Sequence, residues 1–134
     1  MSRTESLILA ITLVEEFLSL TIKIIQHNDA PLVRAEGRIL DVDVRKFSRK
    51  MEWANRKSPK MIIVDISNVE YLDSHGLGVL VYYHSLLERE QRKLFLLNSN
   101  TDMSSYVYRL FDLTNLRRVL HFRNSLESIE KEMT

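Results

Sequence analysis

The segment from Met61 to Leu80, MIIVDISNVEYLDSHGLGVL, decides the fold because it joins a strand pattern directly to a helix pattern. Its first part, MIIVDI, is a nearly continuous apolar run, which is typical of a strand covered on at least one face and flanked on both sides. After the turn LDSHGLG the apolar residues recur with a helical period. One helical face carries Leu77, Leu80, Val81, His84 and Leu87, with Val79, Tyr83 and Leu86 beside it.

A hairpin and a second helix are predicted before this segment. Residues 21–26 (TIKIIQ) and 32–39 (LVRAEGRI) are rich in β-branched residues, and the polar link HNDAP between them indicates a turn. A helix follows, capped by Asp41 or Asp43 and ended by Lys57-Ser58-Pro59. Its apolar face consists of Val44, Phe47, Met51 and Ala54.

Shorter elements follow the central helix. We predict strands at 94–97 and 119–122, a helix capped by Thr101-Asp102 that runs through Phe111, and a terminal helix over 125–131. Asn115 stands where a left-handed residue often ends a helix. Strands that alternate with helices after an initial hairpin predict an α/β fold with parallel pairing and right-handed crossovers. The expected sheet is mixed and has four to five strands.

The N-terminal residues have a pattern of their own. Residues 5–20 predict an amphipathic helix, and Ser2 and Glu5 have the spacing of a capping box. We expect residues 1–20 to form a helical extension and residues 21–134 to form one domain. The apolar stripe of the extension is expected to be buried within its own chain or in a homodimer through residues 5–20.

Composition limits the classes of function. The 134 residues include no cysteine and carry a formal charge of +1. These features give no reason to expect disulfides, nucleic acid or an anionic membrane, and the expected location is cytoplasmic. Seven basic residues lie between Arg45 and Lys60, opposed only by Glu52, and they indicate either a solvated helix face or contact with an acidic partner. No transmembrane helix or signal peptide is predicted.

Three kinds of chemistry can be tested against LDSHGLG. A hydrolase elbow has the pattern G-x-S-x-G, but Leu72 replaces its first glycine, and three adjacent residues rarely achieve the geometry of a triad. No two histidines have the spacing of a metal site, so His84 is expected to be a hydrogen-bonded, partly buried side chain. A phosphate-binding loop is not present. We therefore predict no catalytic residue, no metal and no cofactor.

A regulatory role for Ser74 remains open on physical grounds. The hydroxyl would lie in the first turn of the helix, where free N–H groups and the helix dipole favour negative charge. A phosphate there would add nearly two charges without unfolding the helix. The alternative is that Asp73 or Ser74 simply caps the helix and the glycines permit tight packing.

The stretch VDISNVEYLDSHGLGVL resembles the signature of the STAS domain of bacterial anti-sigma factor antagonists, in which a central strand leads into Asp-Ser-[Ser/Thr]-Gly-Leu-Gly. Two further segments resemble that family: RLFDLTNL, which begins at Arg109, and EGRILD, which begins at Glu36. The resemblance covers roughly residues 21 to 132. His75 replaces the small residue of the motif, Leu40-Asp41 shifts its aspartate, and Asn115 stands for a glycine.

The resemblance implies a switch that acts through protein contacts. An anti-sigma factor that is also a serine kinase would bind the unphosphorylated antagonist and release its sigma factor; phosphorylation would end that complex, and a phosphatase would reset it. Carried over by position, Ser74 is the phosphate acceptor. The implied partner-binding residues are Asp41, Asp73, Ser74, His75, Gly76, Leu77 and Gly78. Two alternatives stay open: an unphosphorylated STAS scaffold or subunit of another assembly, such as a lipid-transport complex, and a small serine hydrolase.

Overall fold

The structure, a computed structural model, describes residues 2–18, 20–57 and 60–133. It contains five α-helices, two short 3₁₀ helices and five strands within these ranges. The helices are α1 (Arg3–Leu18), α2 (Val44–Lys57), α3 (Ser74–Arg89), α4 (Tyr106–Leu113) and α5 (Leu126–Glu132), and the 3₁₀ helices span Asp41–Asp43 and Leu116–Arg118. The strands are β1 (Thr21–His27), β2 (Ala30–Ile39), β3 (Met61–Leu72), β4 (Lys93–Leu97) and β5 (His121–Arg123).

The strands form one mixed sheet in the order β1-β2-β3-β4-β5. The pair β1 and β2 is antiparallel, as the predicted hairpin requires, and β3, β4 and β5 add to it in parallel. Strand β3 is the central strand, as predicted, but it continues through Leu72 rather than ending at Ile66. The pairing of β2 with β3 shifts register twice, each time with one extra residue on β3, and Gly37 of β2 at the second shift has a φ of 99°, which favours glycine.

Hydrophobic side chains cover β3 on both faces. The larger core lies between the sheet and helices α2, α3 and α4, with Phe47, Leu80 and Phe111 almost fully buried. The smaller core lies on the other face, where Ile63 and Phe95 pack near Ile129 of α5. The near-continuous apolar run of β3 follows from this arrangement, because successive side chains of a strand point to opposite faces.

Most sequence predictions agree with these elements, and besides the end of β3 three further differences concern α3, α4 and β5. On α3 the buried face includes Gly76 and Val79, whereas the predicted Leu77 and Val81 are only half-buried. The cap of α4 is Ser105, whose hydroxyl accepts from Tyr108 N–H at 3.3 Å, and not Thr101-Asp102. Strand β5 begins at His121 instead of residue 119. The proposed end of α2 at Ser58-Pro59 lies outside the described residues.

Helix α1 begins with the predicted capping box. Ser2 N–H donates to Glu5 Oε2 at 3.2 Å, and Glu5 N–H donates to Ser2 Oγ at 3.1 Å. Its described apolar side chains stay exposed, by 47% to 63%, at Leu7, Ile8, Leu9, Ile11 and Leu13. The larger and smaller cores contain none of these five residues, so burial within the same chain does not account for them.

The basic stretch of the sequence is spread over the outer face of α2. Its residues Arg45, Lys46, Arg49, Lys50, Arg56 and Lys57 are all exposed. This placement agrees with the interpretation as a solvated helix face. No described helix is long and apolar enough to cross a membrane.

Candidate functional site

The candidate site lies where β2 and β3 end and α3 begins. Asp73 N–H donates to the carbonyl of Ile39 at 3.1 Å, which continues the pairing of the two strands to their last residues. The 3₁₀ helix Asp41–Asp43 follows β2 immediately, while α3 follows β3 immediately. Parallel pairing therefore brings Asp41 beside Asp73 although they are 32 residues apart in sequence.

Asp73 caps α3 and also accepts a hydrogen bond from the neighbouring 3₁₀ helix. Its Oδ1 accepts hydrogen bonds from His75 N–H and Gly76 N–H, both at 3.0 Å. Its Oδ2 accepts from Asp41 N–H at 2.7 Å. Of the two capping residues that the sequence allowed, Asp73 is therefore the cap.

The electrostatics of Asp73 follow from these contacts. Burial alone raises the pKa of this carboxyl, but the N–H donors of Gly76, Asp41 and His75 and the nearby imidazole outweigh it, and the pKa is lowered overall. Asp73 is therefore ionised at neutral pH. It is held in three hydrogen bonds, so it is a fixed feature of the site rather than a mobile surface charge.

Ser74 is the first residue of α3, and it is exposed. Its hydroxyl forms no hydrogen bond with the described part of the chain, because the capping role is taken by Asp73. A free, exposed hydroxyl at a helix N-terminus can accept a phosphoryl group without the loss of a cap. The helix dipole at that end also favours the charge that the group would add.

His75 lies among the acidic residues of the site. Its Nδ1 is 3.6 Å from Asp41 Oδ1 and 3.9 Å from Asp73 Oδ2, and most of the side chain is exposed. The bulky ring that departs from the family motif is thus accommodated at the surface, with two carboxylates beside it.

The two glycines of the motif have different surroundings. A Cβ added at Gly76 would lie 2.6 Å from Leu72 Cδ1 and 2.7 Å from Ile39 Cγ2, so α3 approaches the strand ends more closely than any side chain would allow. A Cβ at Gly78 would meet nothing within 4 Å. Gly76 is therefore needed for packing, whereas Gly78 leaves an open surface next to half-buried Leu77.

The structure adds neighbours to this site that sequence reasoning missed. Val42, between Asp41 and Asp43, is 85% exposed. On the other side, the rings of Tyr71 and Tyr106 stack at 4.5 Å between centroids, and the guanidinium of Arg38 lies 5.1 Å from the Tyr71 ring. The isolated valine between two aspartates was a signal available in the sequence. The tyrosine pair was not, because α4 brings Tyr106 from 35 residues away.

No histidine hydrogen-bonds Ser74 within the described ranges. His27 Nε2 contacts Glu130 at 2.8 Å, and His121 Nε2 contacts Glu88 at 2.6 Å. The prediction for His84 is wrong in one respect: the ring is 7% exposed, but its Nδ1 has no hydrogen-bond partner in the described structure. Burial lowers the pKa of His84, so this ring is neutral at neutral pH.

Comparison with known proteins decides the family. The family model of the STAS domain matches residues 21–129. This chain belongs to the STAS domain family. The sheet order, the initial hairpin and the turn at Ser74 described above are thus those of a STAS domain, and α1 precedes the matched region.

Relatives of this STAS domain carry a consistent description. The anti-sigma-B factor antagonist of Staphylococcus epidermidis is 27% identical over 82% of this chain and 98% of its own length. A crystal structure of an anti-sigma factor antagonist from Mycobacterium paratuberculosis has a TM-score of 0.71 and 22% identity, covering 85% of this chain and 93% of that one. The Bacillus protein SpoIIAA in its phosphorylated form has a TM-score of 0.61 and 18% identity, covering 83% of this chain and 98% of that one.

The Asp73 cap leads to a prediction about stability. Asp73→Ala removes three hydrogen bonds, and we expect it to lower the free energy of unfolding by about 1 to 2 kcal/mol at pH 7. Because the folded protein lowers the pKa of Asp73, this contribution is present above the ordinary value of about 4 and is lost as the pH falls through the lowered pKa. Urea unfolding at several pH values measures the difference. Asp41→Ala is the control, since the Asp41 side chain is exposed and only its backbone binds Asp73; an equal loss in both variants would contradict the capping role.

Proposed function

We propose that this STAS domain is an anti-sigma factor antagonist that binds an anti-sigma factor serine kinase while Ser74 is unphosphorylated. Binding releases the sigma factor that the kinase holds, phosphorylation of Ser74 ends the complex, and a phosphatase restores the unphosphorylated form. The observation that carries the proposal is the exposed Ser74 hydroxyl, which is free at the start of a helix whose cap is supplied by Asp73. The name of the Staphylococcus epidermidis relative supports the general role.

The surface around Ser74 has the composition of a docking site. The half-buried side chain of Leu77 and the exposed Val42 offer apolar contact, and Gly78 allows a partner's backbone to approach closely. We extend the partner-binding residues expected from sequence to include Val42. Asp41 and Asp73 supply negative charge and His75 supplies a polar ring around this apolar centre, which favours specificity and correct orientation of the partner.

The direction of the switch follows from the charge of the site. A phosphate on Ser74 would lie close to the Asp73 carboxylate, which is ionised and already occupied by three N–H donors. A partner surface that packs over this region would have to desolvate the phosphate against like charge. The fold itself would be little affected, because the phosphate lies at the favourable end of α3.

The experiment is to incubate the protein with ATP and each candidate anti-sigma factor serine kinase of the same organism, and then to locate phosphate by mass spectrometry. We expect one phosphate, on Ser74, and none in Ser74→Ala. Tight kinase binding without phosphorylation would overturn the switch and support a STAS scaffold. Hydrolysis of a model ester that depends on Ser74 would overturn both and support the hydrolase alternative.

We propose in addition that α1 pairs with α1 of a second copy. A helix of 16 residues is marginally stable alone in water, and the exposed apolar side chains of Leu7 to Leu13 gain most from a partner that covers them. A second copy is present at the same concentration whenever the protein is made.

Sedimentation equilibrium of the full chain tests this pairing. We expect a dimer that becomes a monomer in the double variant Leu7→Glu, Ile11→Glu, because two charges would then enter the apolar contact. The control is Leu113→Glu, which replaces an apolar side chain that is even more exposed than Leu7 and Ile11 but lies on α4. A monomeric wild-type chain, or a double variant that stays dimeric, would disprove the pairing.

A further inference from the structure

Three potential metal ligands converge at the end of α3 that is remote from Ser74. They are His84, Glu88 and His121, and one ligand atom from each lies within 4.8 Å of the other two. His84 and Glu88 are one helical turn apart on α3, so they project from the same face. His121 is the first residue of β5, which pairs with β4 under that face.

The most informative member of this cluster is His84. Its side chain is buried, with 7% of its surface exposed, and its Nδ1 finds no hydrogen-bond donor or acceptor in the described structure. The His121 ring lies 5.4 Å from the His84 ring between centroids. A buried imidazole nitrogen without a partner is costly, since it gives up the hydrogen bond that it makes with water in the unfolded chain. A group bound to the Nδ1 of His84 would recover that loss.

We propose that His84, Glu88 and His121 bind a divalent transition-metal ion of the zinc type. Two imidazoles and one carboxylate are a donor set that suits Zn²⁺ and disfavours Mg²⁺ and Ca²⁺, which prefer oxygen ligands. A water molecule would complete a tetrahedral site, as in zinc sites with three protein ligands. Within the described residues, this is the only group of three or more candidate ligands.

The distances allow the ion with modest side-chain movement. Zinc bonds of about 2.0 to 2.1 Å in a tetrahedron place neighbouring ligand atoms roughly 3.3 Å apart. His121 Nε2 and Glu88 Oε1 are now 2.6 Å apart and must separate slightly, while the widest pair, at most 4.8 Å, must close. Glu88 and His121 are partly exposed and can make these adjustments, and the ion would replace the hydrogen bond between them.

The consequence of metal binding is a link between α3 and the edge strand. Strand β5 has three residues and, among the described strands, pairs only with β4. A metal ion bound by His84 and Glu88 on one side and His121 on the other would hold this short strand against the helix. The inference does not depend on the proposed role of Ser74, because Glu88 lies about 20 Å farther along the helix.

The test uses untagged protein from which a chelator has removed any metal. Calorimetric titration with Zn²⁺ measures affinity and stoichiometry, and visible spectroscopy with Co²⁺ reports the coordination geometry. We expect one ion per chain, visible bands of tetrahedral Co²⁺, and a rise in the melting temperature of about 5 °C or more at saturating Zn²⁺. Glu88→Gln and His121→Gln should each weaken Zn²⁺ binding about 100-fold or more, since loss of a direct ligand exceeds the effect of an outer contact.

The matched control is His27→Gln. His27 and Glu130 form a similar histidine–carboxylate pair at 2.8 Å, but the cluster of three does not include them. This control should bind Zn²⁺ as tightly as the wild type. His84→Gln is studied as a further variant, with its fold checked by circular dichroism. The proposal is overturned if the wild type binds no stoichiometric Zn²⁺, if Co²⁺ gives only the weak spectrum of its hydrated ion, or if Glu88→Gln and His121→Gln bind like His27→Gln.

Discussion

Phosphorylation of Ser74 is expected to weaken binding of the proposed anti-sigma factor kinase by about 100-fold or more, because an uncompensated charge inside a packed interface costs roughly 3 kcal/mol or more. The Asp73 carboxylate is adjacent, and three N–H donors hold it ionised and in place, so a phosphate on Ser74 would face a fixed like charge. Calorimetric titration of the kinase with phosphorylated and unphosphorylated protein measures the change. The calorimeter cell contains ADP and no ATP, so no phosphoryl transfer takes place during the titration.

The controls for this prediction separate charge from folding. Ser85 is exposed in the C-terminal half of α3, so Ser85→Glu adds a charge to the same helix away from the site. We expect Ser85→Glu to bind the kinase normally, whereas Ser74→Glu should bind weakly although it melts within a few degrees of the wild type. Equal affinity of the phosphorylated and unphosphorylated forms would rule out the switch. A large loss of stability in Ser74→Glu would show that the site works through unfolding instead.

Gly76→Ala is expected to lower the free energy of unfolding by about 1 to 3 kcal/mol, the cost of inserting a methyl group into a filled core. The new Cβ would be 2.6 Å from Leu72 Cδ1 and 2.7 Å from Ile39 Cγ2. Both neighbours are at most 1% exposed, so they have little room to move. Urea unfolding measures the loss.

Gly78→Ala is the matched control for Gly76→Ala. Both glycines lie in the first turns of α3, but a Cβ at Gly78 meets no atom within 4 Å. We expect this change to raise the free energy of unfolding by about 0.5 to 1 kcal/mol, because alanine favours the helix over glycine. If both variants lost stability equally, helix backbone effects rather than close packing at Gly76 would explain the motif.

Much of the fold could be predicted because its elements carry strong local patterns. The apolar run MIIVDI, the β-branched hairpin and the helical period after Gly78 each predict their element correctly. Asn115, with a φ of 59°, also has the predicted left-handed conformation. Boundaries were less accurate: β3 continues six residues past its apolar run, because pairing with β2 stabilises polar residues such as Asn68 in an extended conformation.

The candidate site was predicted in part. The motif identified Ser74 and its immediate neighbours, since these residues are consecutive and their spacing is independent of the rest of the chain. It did not choose between Asp73 and Ser74 as the cap, because both side chains can accept a hydrogen bond from the first turn. The choice depends on the position of Asp41 N–H, which binds the second oxygen of Asp73 from the end of another strand.

By itself, the sequence determined the strands, the helices, their order and the serine at the start of α3, because each of these depends on residues that are close together along the chain. Only the tertiary structure decided that Gly76 packs against Ile39, that Asp41 meets Asp73, and that His121 meets His84 and Glu88. In each case, parallel pairing or packing of a helix on the sheet joins residues more than 30 positions apart. Local periodicity contains no information about such contacts, because they depend on which strands become neighbours and in what register.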